Sequence, residues 1–245
     1  MNTEHDSPLV LALDDTSATL ERVGGKGASL AHLTAAGLPV PPGFHITTAA
    51  YRHFVTKYGL QEQILAAVST TSPAQPATCE AAAQTIATLF AQHPIPDEVA
   101  SAIRQAYVRL GGENLPVAVR SSATAEDLPD LSFAGQQETY LNMHGEAMVL
   151  DAVKRCWASL WTARAISYRT QHHIAQEQVS LAVVVQELVP AEAAGILFTA
   201  NPLTGAPDQV MINAAWGLGE AIVSGQVTPI RWCLIRPVGC PRMCR

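Results

Sequence analysis

The amino-acid sequence predicts a mixed α/β (α+β) fold with a helical insert in its N-terminal half. Short apolar runs of strand length alternate with longer segments of helical periodicity, and no internal repeat is present. The chain has 245 residues, of which 48% are hydrophobic, so it holds enough apolar material for a substantial core. We therefore expect a folded chain.

The first elements are a strand, a glycine-rich segment and a helix. Residues 9–13 form a short apolar run that predicts a buried strand. Gly24-Gly25-Lys26-Gly27 then leads into residues 28–36, where Ala and Leu recur at helical spacing, and Gly37 follows. Residues 38–44 contain three prolines, which fix φ and remove backbone donors, so we expect an extended crossing there.

Helices dominate the next part of the chain. Four helical patterns form the predicted insert: residues 49–58, 61–68, 80–92 and 97–110. Residues 117–119 then predict a strand, and a long polar loop is expected from Ser121 to Gly135.

The later elements are a strand, a helix and three more strands. Residues 138–141 predict the first strand, and residues 146–170 predict one long helix with apolar side chains on one side. The three further strands are expected at residues 180–188, 195–199 and 209–214. Trp216 precedes two glycines and is expected to pack in the core beside a tight turn.

Cys79 and Cys156 stand alone in the sequence, as reduced structural thiols do.

The composition changes at Pro229. Residues 231–245 are rich in arginine, contain Cys233, Cys240 and Cys244, and show neither helical nor strand period. The paired Cys-x-x-Cys spacing of a zinc site is absent from them. We expect residues 1–228 to form one domain and residues 229–245 to be a tail outside the fold, as a frameshift or a truncated gene would produce.

The charge balance limits the classes of partner. With 15 Lys and Arg against 21 Asp and Glu, the net charge is −6, which argues against general affinity for nucleic acid or an anionic membrane. The N-terminus has two acids and no long apolar centre, unlike a signal peptide. The longest later apolar run, residues 181–185, is too short to span a bilayer. We expect a cytoplasmic protein in which any phosphate site is local.

Lys26 is the first candidate for phosphate contact. It follows two glycines between a predicted strand and a helix, where unpaired amides and the helix dipole favour an anion. Glycines at this position are also common turn residues, and the Walker spacing is absent. The pattern alone leaves both interpretations open.

Arg120 is the second candidate and the stronger one. It ends a predicted strand and precedes Ser121-Ser122-Ala123, whose small side chains allow backbone amides to approach a phosphate. The alternative is an ion pair with Glu126 or Asp127 in a surface turn, which needs no ligand. These acids and Asp130 are expected to shape the loop rather than to bind a metal.

Two further features resemble parts of a ligand site. The loop that ends in Gly135 has small residues and one aromatic residue, Phe133. This composition is typical of a lid that closes over a site and excludes water. Gln186 ends an apolar strand and has polar groups suited to adenine, although such a glutamine is commonly only solvated. No Ser-His-Asp or Cys-His arrangement is recognisable.

Six blocks of the sequence, in order, resemble the pyruvate phosphate dikinase N-terminal, or PEP/pyruvate-binding, family. The blocks are residues 23–28, 38–44, 117–141, 156–169, 195–205 and 216–228. Within the third block, Ala118-Val119-Arg120-Ser121-Ser122-Ala123-Thr124-Ala125-Glu126-Asp127-Leu128-Pro129 looks like the phosphoenolpyruvate synthases and their relatives, the rifampicin phosphotransferases.

This resemblance implies an ATP-grasp fold, incomplete at its C-terminal end. It also implies a kinase-type phosphotransferase that passes the ATP β-phosphate to a histidine on a separate domain and then to pyruvate, as in a pyruvate, water dikinase. The alternative within the family is a rifampicin phosphotransferase, with a rifamycin as acceptor. A third hypothesis is a non-catalytic nucleotide-binding lobe or relic.

The resemblance assigns roles to five positions. Lys26 and Arg120 would hold phosphates, Gly135 and Thr139 would belong to the loop that closes over them, and Gln186 would lie beside the adenine. The Mg²⁺ ligands and the phosphohistidine would lie outside this chain, so no catalytic or metal-ligating residue is assigned within it. We therefore expect this chain alone not to complete the reaction and to work with a C-terminal remainder, which a separate gene could encode.

Overall fold

The computed structural model describes residues 7–124 and 138–235. It confirms the predicted mixture of helices and strands. The chain divides into two compact units, Met1–Leu188 and Val189–Arg245. In the described ranges, every helix is too short or too polar to cross a membrane.

The first unit is a five-stranded sheet covered by helices. Its elements, in chain order, are β1 (Val10–Ala12), α1 (Leu20–Ala35), β2 (Gly43–Ile46), α2 (Thr48–Lys57), α3 (Leu60–Ser69), α4 (Pro76–Gln92), α5 (Asp97–Gly111), β3 (Val117–Ala123), β4 (Thr139–Met143), α6 (Gly145–Ser159), α7 (Ala163–Gln171) and β5 (Leu181–Glu187). The strand order is β1-β2-β5-β3-β4, and each neighbouring pair is antiparallel. The predicted helical insert corresponds to α2–α5.

The main core lies on one face of this sheet, because alternate strand residues such as Val119 and Val185 are apolar and point to the same side. Trp157 of α6 is fully buried there, and its ring centroid lies 5.3 Å from that of Phe54. The indole N–H of Trp161 donates to the Tyr51 hydroxyl at 2.9 Å. The predicted apolar side of residues 146–170 therefore faces the core.

The prediction of one long helix over residues 146–170 is wrong, since the chain breaks between α6 and α7. At the end of α6, the Ser159 hydroxyl donates to the Cys156 carbonyl at 2.6 Å. At the start of α7, the Thr162 hydroxyl accepts from the backbone N–H of Ala165 at 3.3 Å, as an N-cap does. Local side-chain bonds thus interrupt a helix whose apolar period continues.

A buried cation stabilises this break. The Arg169 side chain is 2% exposed, and its Nη1 donates to the Leu160 carbonyl at 2.8 Å. Its Nε donates to Gln176 Oε1 at 2.7 Å, and the guanidinium lies 4.9 Å from the Trp161 ring centroid. Burial lowers the pKa of Arg169 to about 10. The side chain therefore stays charged at neutral pH and ties α7 to the end of α6.

The two solitary cysteines of the first unit are buried free thiols, as the sequence predicts. Cys79 and Cys156 are each at most 1% exposed. Burial raises the pKa of the Cys156 thiol well above its ordinary value. The Cys156 thiol is therefore not activated as a nucleophile.

The second unit is a three-stranded antiparallel sheet with one short helix. Its elements are β6 (Ala193–Phe198), β7 (Gln209–Trp216), α8 (Glu220–Val223) and β8 (Ile230–Ile235), and the strand order is β6-β7-β8. The predicted strands at residues 195–199 and 209–214 correspond to β6 and β7. Trp216, however, is 82% exposed, so its predicted core position is wrong.

Strand β8 corrects the expectation for the start of the tail. No strand is predicted after Pro229, but Ile230 pairs with Ala214 and Ile235 pairs with Gln209. Ile230, Trp232 and Leu234 occupy alternate positions, which is a pattern typical of a strand. The unusual composition of the tail makes this pattern hard to recognise. Residues 236–245, with Cys240 and Cys244, lie outside the described residues.

Candidate functional site

A row of side chains crosses the face of the five-stranded sheet that lies opposite the main core. His45 pairs with Val184, Val184 with Arg120, and Arg120 with Thr139. Directly paired residues of antiparallel strands point to the same face, and neighbouring strands lie about 4.8 Å apart. Gln186 is diagonal to Arg120, a separation of roughly 7–8 Å. Three residues predicted from distant parts of the sequence therefore share one face.

Helix α1 packs on this face and is kinked at Gly24, whose φ is 69° and ψ is 176°. The sequence analysis expects the helix to start after the glycines, but it starts at Leu20 and resumes after the kink. A Cβ at position 24 would lie within 3.0 Å of the Ser122 backbone carbonyl, closer than real Cβ atoms approach. The glycine is therefore required both for its left-handed conformation and for the close approach of α1 to β3.

Ser122 fastens the kink to the sheet. Its hydroxyl donates to the Val23 carbonyl at 2.7 Å and accepts from the Gly27 N–H at 3.1 Å, so it bonds both sides of Gly24. The side chain is fully buried. Sequence reasoning treated Ser122 only as a small residue. Its position two residues after Arg120, hence on the same face of β3, is the signal that indicates this role.

Lys26 lies in the segment that Ser122 holds against β3. Lys26 is partly buried and lies between Gly24, which approaches the Ser122 backbone, and Gly27, whose N–H donates to the Ser122 hydroxyl at 3.1 Å. The backbone of Lys26 is therefore held beside the part of β3 that carries Arg120.

Arg120 lies in the middle of β3, which continues to Ala123, so the predicted strand end at this residue is wrong, whereas Thr139 is the first residue of β4. Arg120 is partly exposed, and the described part of the chain offers it no carboxylate within salt-bridge distance. The backbone N–H of Ser121 donates to the Glu138 carbonyl at 3.1 Å, which joins β3 to β4 beside the pair. Gly135, together with the alternative partners of Arg120 at positions 126 and 127, lies outside the described residues.

Gln186 is 7% exposed, so the alternative of a merely solvated strand end is wrong. Its Nε2 donates to the Pro41 carbonyl at 2.9 Å, and the Glu187 N–H donates to the Pro42 carbonyl at 2.8 Å. The side chain thus holds the proline-rich crossing against β5. This bond uses one of the two N–H donors of the carboxamide.

His45 is a site residue that sequence reasoning missed. It is fully buried, and its Nε2 lies 3.3 Å from the Leu13 carbonyl, which makes Nε2 the donor. Its Nδ1 has no hydrogen-bond partner among the described residues, and a Cβ on Gly27 would lie 3.2 Å from it. The strict alternation of Phe44, His45 and Ile46 in β2 is the signal that indicates its face.

The buried imidazole makes stability depend on pH. Burial lowers the pKa of His45 below its ordinary value of 6.5, although the Leu13 carbonyl and Asp15 oppose the shift. The unfolded chain therefore binds this proton more readily, so the free energy of unfolding falls as the pH falls below 6.5. We expect His45→Gln, which keeps a donor for Leu13 but does not titrate, to flatten this part of the pH profile.

Urea unfolding at several pH values between 8 and 5 measures this slope for the unsubstituted chain and for the variant. His32→Gln is the matched control, because His32 is exposed near the end of α1. Equal slopes for the unsubstituted chain and His45→Gln would show that His45 is not the group responsible.

The donors on this face fit a phosphate group. They comprise the guanidinium of Arg120 and the hydroxyl of Thr139, and the segment that carries Lys26 packs beside them. Within residues 7–124 and 138–235, no cluster of three or more His, Cys, Asp or Glu side chains could hold a metal ion. The expectation that Mg²⁺ ligands lie elsewhere stays a prediction.

Comparisons with known proteins identify relatives of this chain. A family model described as the pyruvate phosphate dikinase, AMP/ATP-binding domain matches residues 20–238. The phosphoenolpyruvate synthase of Aeropyrum pernix is 48% identical over 230 residues, or 91% of this chain, and that of Pyrococcus furiosus is 45% identical over 84% of it. A probable phosphoenolpyruvate synthase of Staphylothermus marinus is 43% identical over 94% of the chain. The chain spans only 28% to 30% of the length of these three relatives.

Proposed function

The chain belongs to the pyruvate phosphate dikinase AMP/ATP-binding domain family, and from this premise we propose that it binds ATP on the sheet face that carries Arg120. The observation that carries the proposal is the direct pairing of Arg120 with Thr139 on the face where α1 packs. In this proposal Arg120, Thr139 and Lys26 together provide two cations and a hydroxyl to a site in a net acidic chain. Such a local positive site suits a polyphosphate.

In the proposed complex, Lys26 and Arg120 hold the phosphates and the Thr139 hydroxyl donates to a phosphate oxygen. Gly135 belongs to the loop that closes over them. Gln186 lies beside the adenine and offers the N–H that Pro41 does not use. Fixed positive charge around a transferring phosphoryl group stabilises the charge that develops on it, so the two cations serve both binding and transfer.

We further propose that this chain is the ATP-binding part of a phosphoenolpyruvate synthase-like phosphotransferase with an ATP-grasp fold. The name of its relatives favours this acceptor class over a rifamycin. The ATP β-phosphate then passes to a histidine outside the matched segment, as AMP leaves and the γ-phosphate is released to water as inorganic phosphate, and the histidine passes its phosphoryl group to pyruvate. Mg²⁺, when bound by ligands outside this chain, neutralises phosphate charge.

Calorimetry with the 245-residue chain tests the proposal. We expect one ATP to bind per chain in the presence of Mg²⁺, and no AMP to form when pyruvate is added. A chain that is folded by circular dichroism but releases no heat with ATP would contradict the binding proposal. Robust AMP formation from ATP and pyruvate would instead contradict the proposal that the phosphate-accepting histidine lies outside this chain.

A further inference from the structure

The sheet of the second unit has one face made only of apolar residues. Strand register assigns alternate residues of β6, β7 and β8 to this face, and each of them is Ala, Gly, Val, Leu, Ile or Trp. Its six largest members, which we call the apolar sheet face, are Leu197, Ile212, Trp216, Ile230, Trp232 and Leu234.

Within the described residues, most of the apolar sheet face is uncovered. Trp216 is 82% exposed, Leu197 and Ile230 are each 58% exposed, Leu234 is 53% exposed and Trp232 is 45% exposed. Soluble proteins rarely leave contiguous apolar patches of this kind uncovered, and such patches mark interaction surfaces.

The opposite face of the same sheet differs in chemistry. It carries three polar residues, Gln209, Asn213 and Arg231, among apolar ones such as Ile196, Phe198 and Met211. Gln209 Oε1 accepts from the Asn201 side chain at 2.6 Å and Met211 is buried, so part of this mixed face already has its own partners. The described residues leave the wholly apolar face uncovered, which water disfavours.

We propose that the apolar sheet face is the docking surface for the polypeptide that follows the matched segment in phosphoenolpyruvate synthases. The relatives contain about 70% of their length outside the part that this chain spans, since it covers 28% to 30% of them. The match ends at residue 238, directly after β8, so the chain that follows it starts at the edge of this sheet.

The partner is an amphipathic layer, helical or sheet-like, whose apolar stripe covers the two tryptophans. A single sheet needs such a second layer to bury its apolar face. The inference rests on the part of the proposed function that assigns this chain to a larger phosphotransferase. It does not depend on ATP binding.

Co-expression provides the first test. The 245-residue chain is produced together with the part of the Aeropyrum pernix phosphoenolpyruvate synthase that follows its match, and the two are purified through a tag on the latter. We expect a stable complex with the unsubstituted chain. Leu234→Lys should reduce recovery at least tenfold, whereas Cys233→Lys, the adjacent residue on the opposite face of β8, should not.

Acrylamide quenching of tryptophan fluorescence gives a second measurement. It does not require two separate polypeptides to bind each other. Trp157 and Trp161 are buried in the first unit, so Trp216 and Trp232 are the quenchable pair. Replacing Trp216 and Trp232 with Phe identifies the part of the quenchable fluorescence that comes from these two residues. In a chimera that joins residues 1–238 to the Aeropyrum segment, we expect both to become protected.

Three outcomes would overturn the proposal. The first is a soluble chimera in which both tryptophans stay as quenchable as in the chain alone. The second is protection of the pair in the chain alone as a monomer, which would mean that another part of the chain covers the face. The third is a homodimer that Leu234→Lys dissociates, which would make a second copy the partner. Calorimetry with ATP on the same samples separates each outcome from failure of the ATP site.

Discussion

Replacing Arg120 with Met is expected to weaken ATP binding by roughly 10- to 100-fold, because hydrogen bonds to charged groups contribute about 1.5–3 kcal/mol each. Methionine keeps an unbranched apolar stem of similar reach, so the change removes mainly the charge and its donors. Arg120 is partly exposed and has no salt-bridge partner in the described part of the chain, so its loss orphans no buried acid there. The variant should therefore fold.

The matched control is Arg104→Met. Arg104 lies on α5, a helix of the opposite face of the sheet, and forms an ion pair with Glu146 that is largely exposed. An exposed pair contributes little to stability, so this control should leave both the fold and ATP affinity nearly unchanged. Calorimetric titration with ATP and Mg²⁺ compares the two variants. If Arg120→Met binds ATP as tightly as Arg104→Met, the phosphates lie elsewhere.

The chemistry of the site is more visible in the sequence than its geometry. Arg120 and Lys26 are recognisable because each lies among small residues where the sequence predicts a strand end or a helix start. Arg120 and Gln186 share a face because β5 pairs with β3, a pairing of segments more than fifty residues apart. Local periodicity contains no information about such register, so the proximity of Gln186 to Arg120 is seen only in the structure.

The errors of the sequence analysis have identifiable physical causes. The apolar period of α6 continues through Leu160 and Trp161, so periodicity alone cannot detect the break, although Thr162 is a typical N-cap residue. Trp216 was expected in the core because large aromatic residues usually are buried, but the face that it shares is uncovered in the described residues.

Replacing Gly24 with Ala is expected to destabilise the fold by about 2–6 kcal/mol, from strain of about 1–3 kcal/mol at its glycine-only φ and ψ and overpacking of about 1–3 kcal/mol. The new methyl group would meet the backbone carbonyl of Ser122, which cannot rotate away as a side chain does. Relief requires α1 to move from β3, which breaks the bonds from Ser122 to Val23 and Gly27.

Gly37→Ala separates the two contributions to this loss. Gly37 has φ of 71°, close to that of Gly24, but a Cβ there would meet no atom within 4 Å. Urea unfolding should therefore show a loss of about 1–2 kcal/mol for Gly37→Ala, the cost of the left-handed conformation alone. Equal losses for the two variants would mean that α1 does not approach β3 as closely as described. Because Lys26 follows the kink, a folded fraction of Gly24→Ala should also bind ATP more weakly, whereas Gly37→Ala should bind it normally.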